Sequence, residues 1–344
     1  MSATLVADGV LVLLLLGLAL RATAAADAFA AVVAFVAFGL LLALAWMRLH
    51  AGDVALTEAA IGSGVTGAVL VAAAMRLPPT LPHIPPEADP EAAFPKAMPG
   101  GAARPEVMPG WAARPKVILG EAAIRLAALL LSGLVTACLA GLVLWTTGPS
   151  HSQAATALRH LPELGLYNAV TGVLMAYRGF DTLMEKIVLL LALVGVWSLA
   201  RDTVWGGRPF PAAIPAQGGA VTLIARLLPP IGIVVAVYLL WVSAEEPGGA
   251  FQGGAILAAM WLLVLLAGLR QAPLLGSRLV RWTVAVGPAI FLAAGFAGFA
   301  FPAGFLSYPP GVAKAMIILI EFPLLLSIAV ILGLLVTGPA ERRP

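Results

Sequence analysis

Charged residues are scarce in this 344-residue sequence: 11% of it is Asp, Glu, Lys or Arg, 61% is hydrophobic, and the mean hydropathy is +1.00. Soluble globular domains carry about 25% charged residues, so this chain has too few polar groups to cover a water-facing surface. The composition therefore excludes a soluble enzyme and predicts an integral membrane protein.

Cysteine is almost absent as well. Cys138 stands alone, which excludes disulfides within the chain and thiolate metal sites. The four histidines lack metal-ligand spacing and no Ser/His/Asp or Cys/His set is present, so the sequence predicts no metal, no cofactor and no catalysis. The lysines and arginines stand singly at the ends of apolar runs, which is typical of topology signals and excludes a nucleic-acid-binding patch.

The sequence does contain a series of apolar runs, each close to the ~20 residues that cross a bilayer. They predict an all-α, polytopic membrane protein with about nine transmembrane helices, at 4–21, 28–49, 54–76, 119–146, 183–200, 220–242, 252–269, 280–300 and 312–337. With these spans, fourteen lysines and arginines fall on the side opposite the N-terminus and four on its own side. The positive-inside rule then predicts an outside N-terminus and a cytoplasmic C-terminus in the cell (inner) membrane.

A proline-rich stretch, residues 77–118, interrupts the apolar runs with eleven prolines. Within it, the decamer 98–107 is followed directly by a copy at 108–117 that matches it at eight of ten positions. We expect an extended cytoplasmic linker between two membrane modules, and a docking motif that uses Trp111 is the alternative.

Acidic residues inside the predicted spans are the candidate functional residues, because each costs roughly 2.5–3.5 kcal/mol to insert into lipid. Glu58 lies about one turn into the third span. It is either a protonatable site that faces the bundle interior or an interfacial glutamate. Asp53, just before it, is explained as the N-cap of that helix.

Glu185 has two interpretations. It is either a residue of an ion path or, with Thr182, half of a capping box that opens the fifth span. The adjacent Lys186 points about 100° away around the helix, so we do not expect it to be the ion partner of Glu185.

Glu321 is the deepest acid, roughly 14 Å into the last span at 1.5 Å per residue. Lys314 lies seven residues earlier on about the same face. A proton or cation relay through Glu321 and Lys314 is predicted, and a structural contact of Glu321 with Lys314 or with backbone is the alternative. Pro323 removes a backbone hydrogen bond and could open a polar kink nearby.

Glycines crowd the connection between the sixth and seventh spans, around Phe251 and Gln252. They predict a tightly buried or re-entrant connection, because glycine permits positive φ and close backbone approach. Without a lysine, it is not a phosphate-cradling loop.

Three motifs together resemble the Mrp-type multisubunit cation/proton antiporter family and its relatives in membrane-bound hydrogenases. Residues 28–76, with the motif 53–62, resemble the module at the C-terminal end of the antiporter's A subunit, which in the hydrogenases is a separate D subunit. Residues 119–205, with 168–172 and 178–182, resemble the hydrogenase E subunit. Residues 220–337, with 247–254, resemble the antiporter's B subunit.

The resemblance implies three-, two- and four-helix modules, and these add up to the nine predicted spans. The boundaries are 1–76 for the D-like module, 77–118 for the linker, 119–205 for the E-like module and 206–344 for the B-like module. The resemblance also implies that Glu58 and Glu185 matter for transport. Its structural motifs contain Asp53, Thr57, Arg178, Asp181, Thr182, Gly248, Gly249, Phe251, Gln252, Gly253 and Gly254.

The function that the resemblance implies is that of a membrane subunit of a complex that exchanges Na⁺, or another cation, for H⁺. Its partners would be the large antiporter-like subunits and the small C-, E-, F- and G-like subunits. The alternative is a structural or coupling subunit of a hydrogenase-like or complex I-like redox-driven pump. A stand-alone channel or carrier is disfavoured, because the two halves show no inverted repeat.

Overall fold

A computed structural model of the chain describes residues 3–67, 70–71, 74, 121–145, 153–209 and 219–340. Within these ranges the protein is helical and contains no strand, apart from an isolated β-bridge between Pro209 and Ala340. The all-α prediction is therefore confirmed for the described chain. The linker, its tandem decamer and Trp111 lie outside the described residues.

The N-terminal part forms a helical hairpin followed by a third helix. Helix α1 spans Ala3–Ala24 and α2 spans Ala28–Arg48. Helix α3, Gly52–Thr57, continues directly into a π-helix, π1, over Glu58–Val65. Short π-helical segments inside α-helices are frequently found at functional sites.

Helix α1 and helix α2 are tied together at the end where α2 finishes. Arg48 donates to both carboxylate oxygens of Asp8, at 2.9 and 3.0 Å. Asp27 caps α2 by accepting the backbone amide of Ala30 at 2.7 Å, which satisfies one of the free N–H groups at its start.

The remaining helices follow in two groups. Helix α4 spans Glu121–Trp145 and belongs to a unit of its own. The other unit continues with α5 Ala154–His160, α6 Ala169–Thr171, the π-helix π2 Gly172–Tyr177, α7 Gly179–Ser198, α8 Gly219–Trp241, α9 Ala250–Leu266, α10 Arg278–Ala297 and α11 Ala313–Thr337. Of α5, only its residues from 156 onward belong to that unit.

Five helices in the described part are long and apolar enough to cross a membrane. They are Leu5–Ala24, Ala28–Arg48, Thr222–Trp241, Arg278–Ala300 and Ala313–Thr337, and two shorter apolar helices cover Leu126–Leu142 and Ala250–Leu266. A polytopic membrane protein is thus supported, and the count of nine and the orientation stay predictions.

Helix α11 is the centre of the core. Its buried face carries Ile317, Ile320, Leu324 and Ile328, and it packs against α9, α10 and α7. The helix continues through Pro323 without a break. Helix α9 packs closely against α8 and α11 because Gly253 has no side chain. A Cβ on Gly253 would lie 2.7 Å from the Ala236 carbonyl oxygen of α8 and 2.7 Å from Leu325 of α11.

Candidate functional site

Glu321 lies buried in the middle of α11, with 5% of its surface exposed. Its Oε2 accepts a hydrogen bond from the Ser243 hydroxyl at 2.6 Å, and its Oε1 accepts from the Ala250 backbone amide at 3.5 Å. Ser243 follows the end of α8, and Ala250 is the first residue of α9. The carboxyl group is therefore held at the junction of three helices of the B-like module.

Lys186 comes to the same place from α7, and sequence reasoning missed it. Its Nζ donates to Glu185 Oε1 at 2.8 Å and lies 4.3 Å from the centroid of the Phe251 ring. The prediction that Lys186 is not the ion partner of Glu185 is wrong. The Cβ directions do diverge, but the four-carbon stem of lysine is flexible enough to turn its ammonium group back.

The two side chains of this ion pair differ in their exposure. The Lys186 side chain is 6% exposed, whereas that of Glu185 is 51% exposed. Lys186 and Glu321 line the same cavity. The ammonium group thus pairs with a half-exposed carboxylate and shares a cavity with a buried one.

These groups line one cavity of about 230 Å³. A water molecule takes about 30 Å³ of liquid volume, so the cavity has room for several waters or for a partly hydrated ion. Glu185, Lys186 and Glu321 are the ionisable residues among those that line it. Thr57, Thr171, Thr182 and Gln252 contribute further polar side chains.

Gln252 links the cavity to the N-terminal module. Its Nε2 donates to Thr57 Oγ1 at 3.1 Å, and the Thr57 hydroxyl donates to the Asp53 backbone carbonyl at 2.8 Å. Because the hydroxyl has a single hydrogen and uses it on Asp53, it can only accept from Gln252. The amide nitrogen of Gln252 must therefore face Thr57, which leaves Oε1 directed elsewhere.

Gly249 lies beside this Gln252 oxygen. A Cβ on Gly249 would lie 3.3 Å from Gln252 Oε1 and 3.3 Å from Glu321 Oε1. Its φ of 132° is also a conformation that side chains with a Cβ rarely adopt. The connection predicted to be tightly buried is a buried turn, in which Gly248 and Gly249 lead directly into α9.

Asp53 was predicted to be the N-cap of its own helix, and this prediction is wrong. The N-cap of α3 is Ala51, and Asp53 lies buried in the first turn. Its carboxylate accepts the Gly248 backbone amide at 3.0 Å and Asn168 Nδ2 at 3.3 and 3.4 Å. Asn168 Nδ2 also donates to the Glu246 carbonyl at 2.9 Å. One carboxylate thus joins three segments that are far apart in the sequence.

Glu58 begins the π-helix π1, but it is not among the residues that line the cavity. It is half-buried, and its carboxyl group lies against Gly62 of its own helix and near Gly39 of α2. A Cβ on Gly39 would lie 3.2 Å from Glu58 Oε1. The nearby Ser63 hydroxyl is buried without a hydrogen-bond partner. The structure therefore places Glu58 and Glu321 in two separate environments.

Lys314 contacts Glu245 and not Glu321, so the structure shows no direct contact for the predicted relay. It forms an ion pair with Glu245 of the α8–α9 connection, and both side chains are about two-fifths exposed. Sequence spacing placed Lys314 and Glu321 on one face, but the lysine is close to the start of α11 and reaches the neighbouring connection instead.

The predicted capping box at Thr182 and Glu185 is not formed. Helix α7 already begins at Gly179, and Thr182 Oγ1 donates to the Leu174 carbonyl of π2 at 2.6 Å. Arg178 and Asp181 form an exposed ion pair beside this turn. Thr182 therefore fastens π2 to α7, and Glu185 is left free to pair with Lys186.

Across the described ranges, no group of three or more His, Cys, Asp or Glu residues comes together as a metal site would require.

Comparison with known proteins adds two family matches. Residues 13–79 match the MbhD family, described as the D subunit of MBH, and residues 220–339 match the domain related to the MnhB subunit of Na⁺/H⁺ antiporter. An uncharacterized protein of Methanocaldococcus jannaschii is 32% identical over 141 residues, which cover 36% of this chain and 54% of the relative. The chain thus spans about half the length of the curated relative that it matches.

Two solved structures are similar to the chain. A chain of the Mrp complex from Dietzia sp. DQ12-45-1b matches with a TM-score of 0.67 at 22% identity, and the match covers 97% of this chain and 35% of the other. A chain of the membrane-bound sulfane sulfur reductase, an archaeal respiratory membrane complex, matches with a TM-score of 0.49 at 25% identity, covering 62% of this chain and 96% of the other.

The two matched domains overlap the regions predicted to be D-like and B-like, and the E-like module at 119–205 stays a prediction. The likeness to the Mrp chain extends over almost the whole fold. The chain therefore combines a D-like domain with an MnhB-related domain, in a fold that it shares with a chain of the Mrp complex.

Proposed function

We propose that this chain is a membrane subunit of a multisubunit antiporter that exchanges Na⁺ for H⁺, and that it contributes both to the ion path and to assembly. The MnhB-related domain and the D-like domain support this function. Its partners are the large antiporter-like subunits and the small C-, E-, F- and G-like subunits. It lies in the cell (inner) membrane with its N-terminus outside and its C-terminus in the cytoplasm.

The observation that carries the proposal is the Glu321 cavity. An acid in the middle of a membrane-spanning helix is costly, and such residues mark ion and proton pathways. Here the acid shares a cavity with a buried lysine from α7 and a glutamine that contacts α3. The proton-accepting group is Glu321, and Glu185 at the mouth connects it to the outside of the chain.

A second candidate is a coupling subunit of a hydrogenase-like, redox-driven ion pump. The match of residues 13–79 to the D subunit of MBH favours it. The buried Glu321 cavity suits either complex, because both must move ions through the membrane. The genes beside this one discriminate: antiporter subunits alone favour the first function, and nickel–iron or quinone-reducing subunits favour the second.

The test is complementation in a host that lacks its own antiporters. Expressed with the other subunits, the chain restores growth in high salt; expressed alone, it does not. The complex without this chain is the matched control and also fails to restore growth. Rescue by the single chain contradicts the subunit role, and rescue by the complex without it shows that the chain is dispensable for exchange.

A further inference from the structure

We propose that the Glu321 cavity is a binding site for one monovalent metal cation, and that the ammonium group of Lys186 competes with this cation for Glu321. The inference rests on the function proposed above and deepens it, because it names the ligand and a residue that sets the affinity for it.

The charge of the cavity is the first step. Two carboxylates, Glu185 and Glu321, and one ammonium group, Lys186, are the ionisable groups among the described residues that line it. When all three are charged, one negative charge is left over. A buried charge without a counter-charge is strongly unfavourable, so the cavity favours one further positive charge.

The oxygen atoms at Gly249 are the second step. Gln252 Oε1 and Glu321 Oε1 each lie 3.3 Å from the place where a Cβ on Gly249 would be. The Gln252 oxygen faces this way because its amide nitrogen donates to Thr57. Hard cations bind to carboxylate and amide oxygens, which replace the water molecules of their hydration shell. The cation is therefore assigned to the space beside Gly249.

The position of Lys186 is the third step. Its Nζ contacts Glu185 at the mouth and the face of the Phe251 ring, and it lines the same cavity as Glu321. Lysine carries a compact charge on a flexible stem, so its head can move between two carboxylates in one cavity. When the metal cation is absent, the ammonium group turns towards Glu321. When the cation binds, the ammonium group stays with Glu185.

The experiment measures the Na⁺ concentration that gives half-maximal proton flux in inverted vesicles carrying the full complex. Lys186→Met removes the competing charge and keeps the length of the side chain. We expect this concentration to fall about tenfold, since coupling between two bound ligands is commonly a factor of about 5–150. Lys186→Arg keeps the charge, so we expect its Na⁺ concentration for half-maximal flux to stay within the parental order of magnitude. Lys314→Met, which removes the exposed lysine paired with Glu245, is the matched control and leaves the value unchanged.

Glu185→Gln is expected to raise the Na⁺ concentration for half-maximal flux, whereas Lys186→Met lowers it. Without its partner at the mouth, Lys186 binds Glu321 more strongly, so more Na⁺ is required for half-maximal flux. In the Lys186→Met background the same change has a smaller effect, because no ammonium group is left to release. This variant changes a half-exposed residue, so it tests the proposal even if Lys186→Met does not assemble.

An unchanged or raised Na⁺ requirement in assembled Lys186→Met complex overturns the inference, and so does an unchanged or lowered requirement in Glu185→Gln. Failure of the proposed function looks different. If the proposed function fails, the Glu321→Gln complex exchanges at the parental rate. If only this inference fails, Glu321→Gln is inactive, and the Lys186 and Glu185 variants keep the parental Na⁺ requirement.

Discussion

The carboxylate of Asp53 accepts a hydrogen bond from the backbone amide of Gly248 at 3.0 Å, between residues 195 positions apart in the chain. Asn168 donates to the same carboxylate from a third segment. Gly248 precedes the turn residue Gly249, beside which Glu321 and Gln252 place their oxygen atoms. A contact between modules thus holds the wall of the cavity in position.

Asp53→Asn tests this contact. In Asp53→Asn one carboxylate oxygen is replaced by an NH₂ group, which can only donate. That group would face the Gly248 N–H or the Asn168 amide, so one of these buried donors would lose its acceptor. We expect the complex to lose roughly 1–3 kcal/mol of stability. Thermal unfolding of the purified complex in detergent measures it. Asp202→Asn, at an exposed position, is the control with the same chemical change. Equal stability of the two variants would show that the Asp53 contacts contribute nothing.

Gly249→Ala tests the shape of the cavity. The added Cβ would press on the Gln252 and Glu321 oxygens, and the φ of 132° adds backbone strain of about 1–3 kcal/mol. We expect loss of exchange together with lower stability. Gly268→Ala is the control, because Gly268 also has a positive φ, 68°, but a Cβ there meets no atom within 4 Å. It should lose about 1–2 kcal/mol of stability from strain and keep its exchange activity.

Glu58→Gln tests whether the π-helical glutamate takes part in transport. It keeps the size of the side chain beside Gly39 and Gly62 and removes the exchangeable proton. We expect the complex to assemble and its cation-dependent proton flux to fall strongly, while Glu58→Asp keeps part of the flux. Glu163→Gln, at an exposed glutamate that pairs with His160, is the control. Parental flux in assembled Glu58→Gln complex would make Glu58 a structural residue.

Orientation is checked with reporters. A reporter fused after Pro344 or inserted within 85–105 should be cytoplasmic, and one inserted at 151–156 should be external, as the distribution of lysine and arginine predicts. The reverse pattern would show that the orientation is wrong.

The all-α architecture and the D-like and B-like domains followed from the sequence, because apolar runs of membrane length and short motifs are local signals. The contacts of the site did not. Asp53 was assigned a local role as a cap, since its partners Asn168 and Gly248 lie 115 and 195 residues away and leave no trace in the local pattern. For Ser243, likewise, no local signal points to its bond with Glu321, 78 residues away.

Lys186 was missed for a different reason. Helical periodicity gives the direction of the Cβ atom, but not the direction in which a long, flexible side chain turns. A lysine inside an apolar helix was the signal that could have identified it. Spacing also misled the assignment of Lys314, because sharing a helix face with Glu321 does not bring two residues into contact when a nearer carboxylate, Glu245, is available.

The most direct test of the account is cation-dependent proton flux in inverted vesicles that carry the complex with Glu321→Gln, with its yield checked on a native gel. Gln keeps the shape of the side chain and can still contact Ser243, but it cannot exchange a proton. We predict parental yield and a fall in flux of about tenfold or more, with Glu163→Gln at the parental rate. Parental flux in assembled Glu321→Gln complex would contradict the account, and the ion path would then run through the partner subunits.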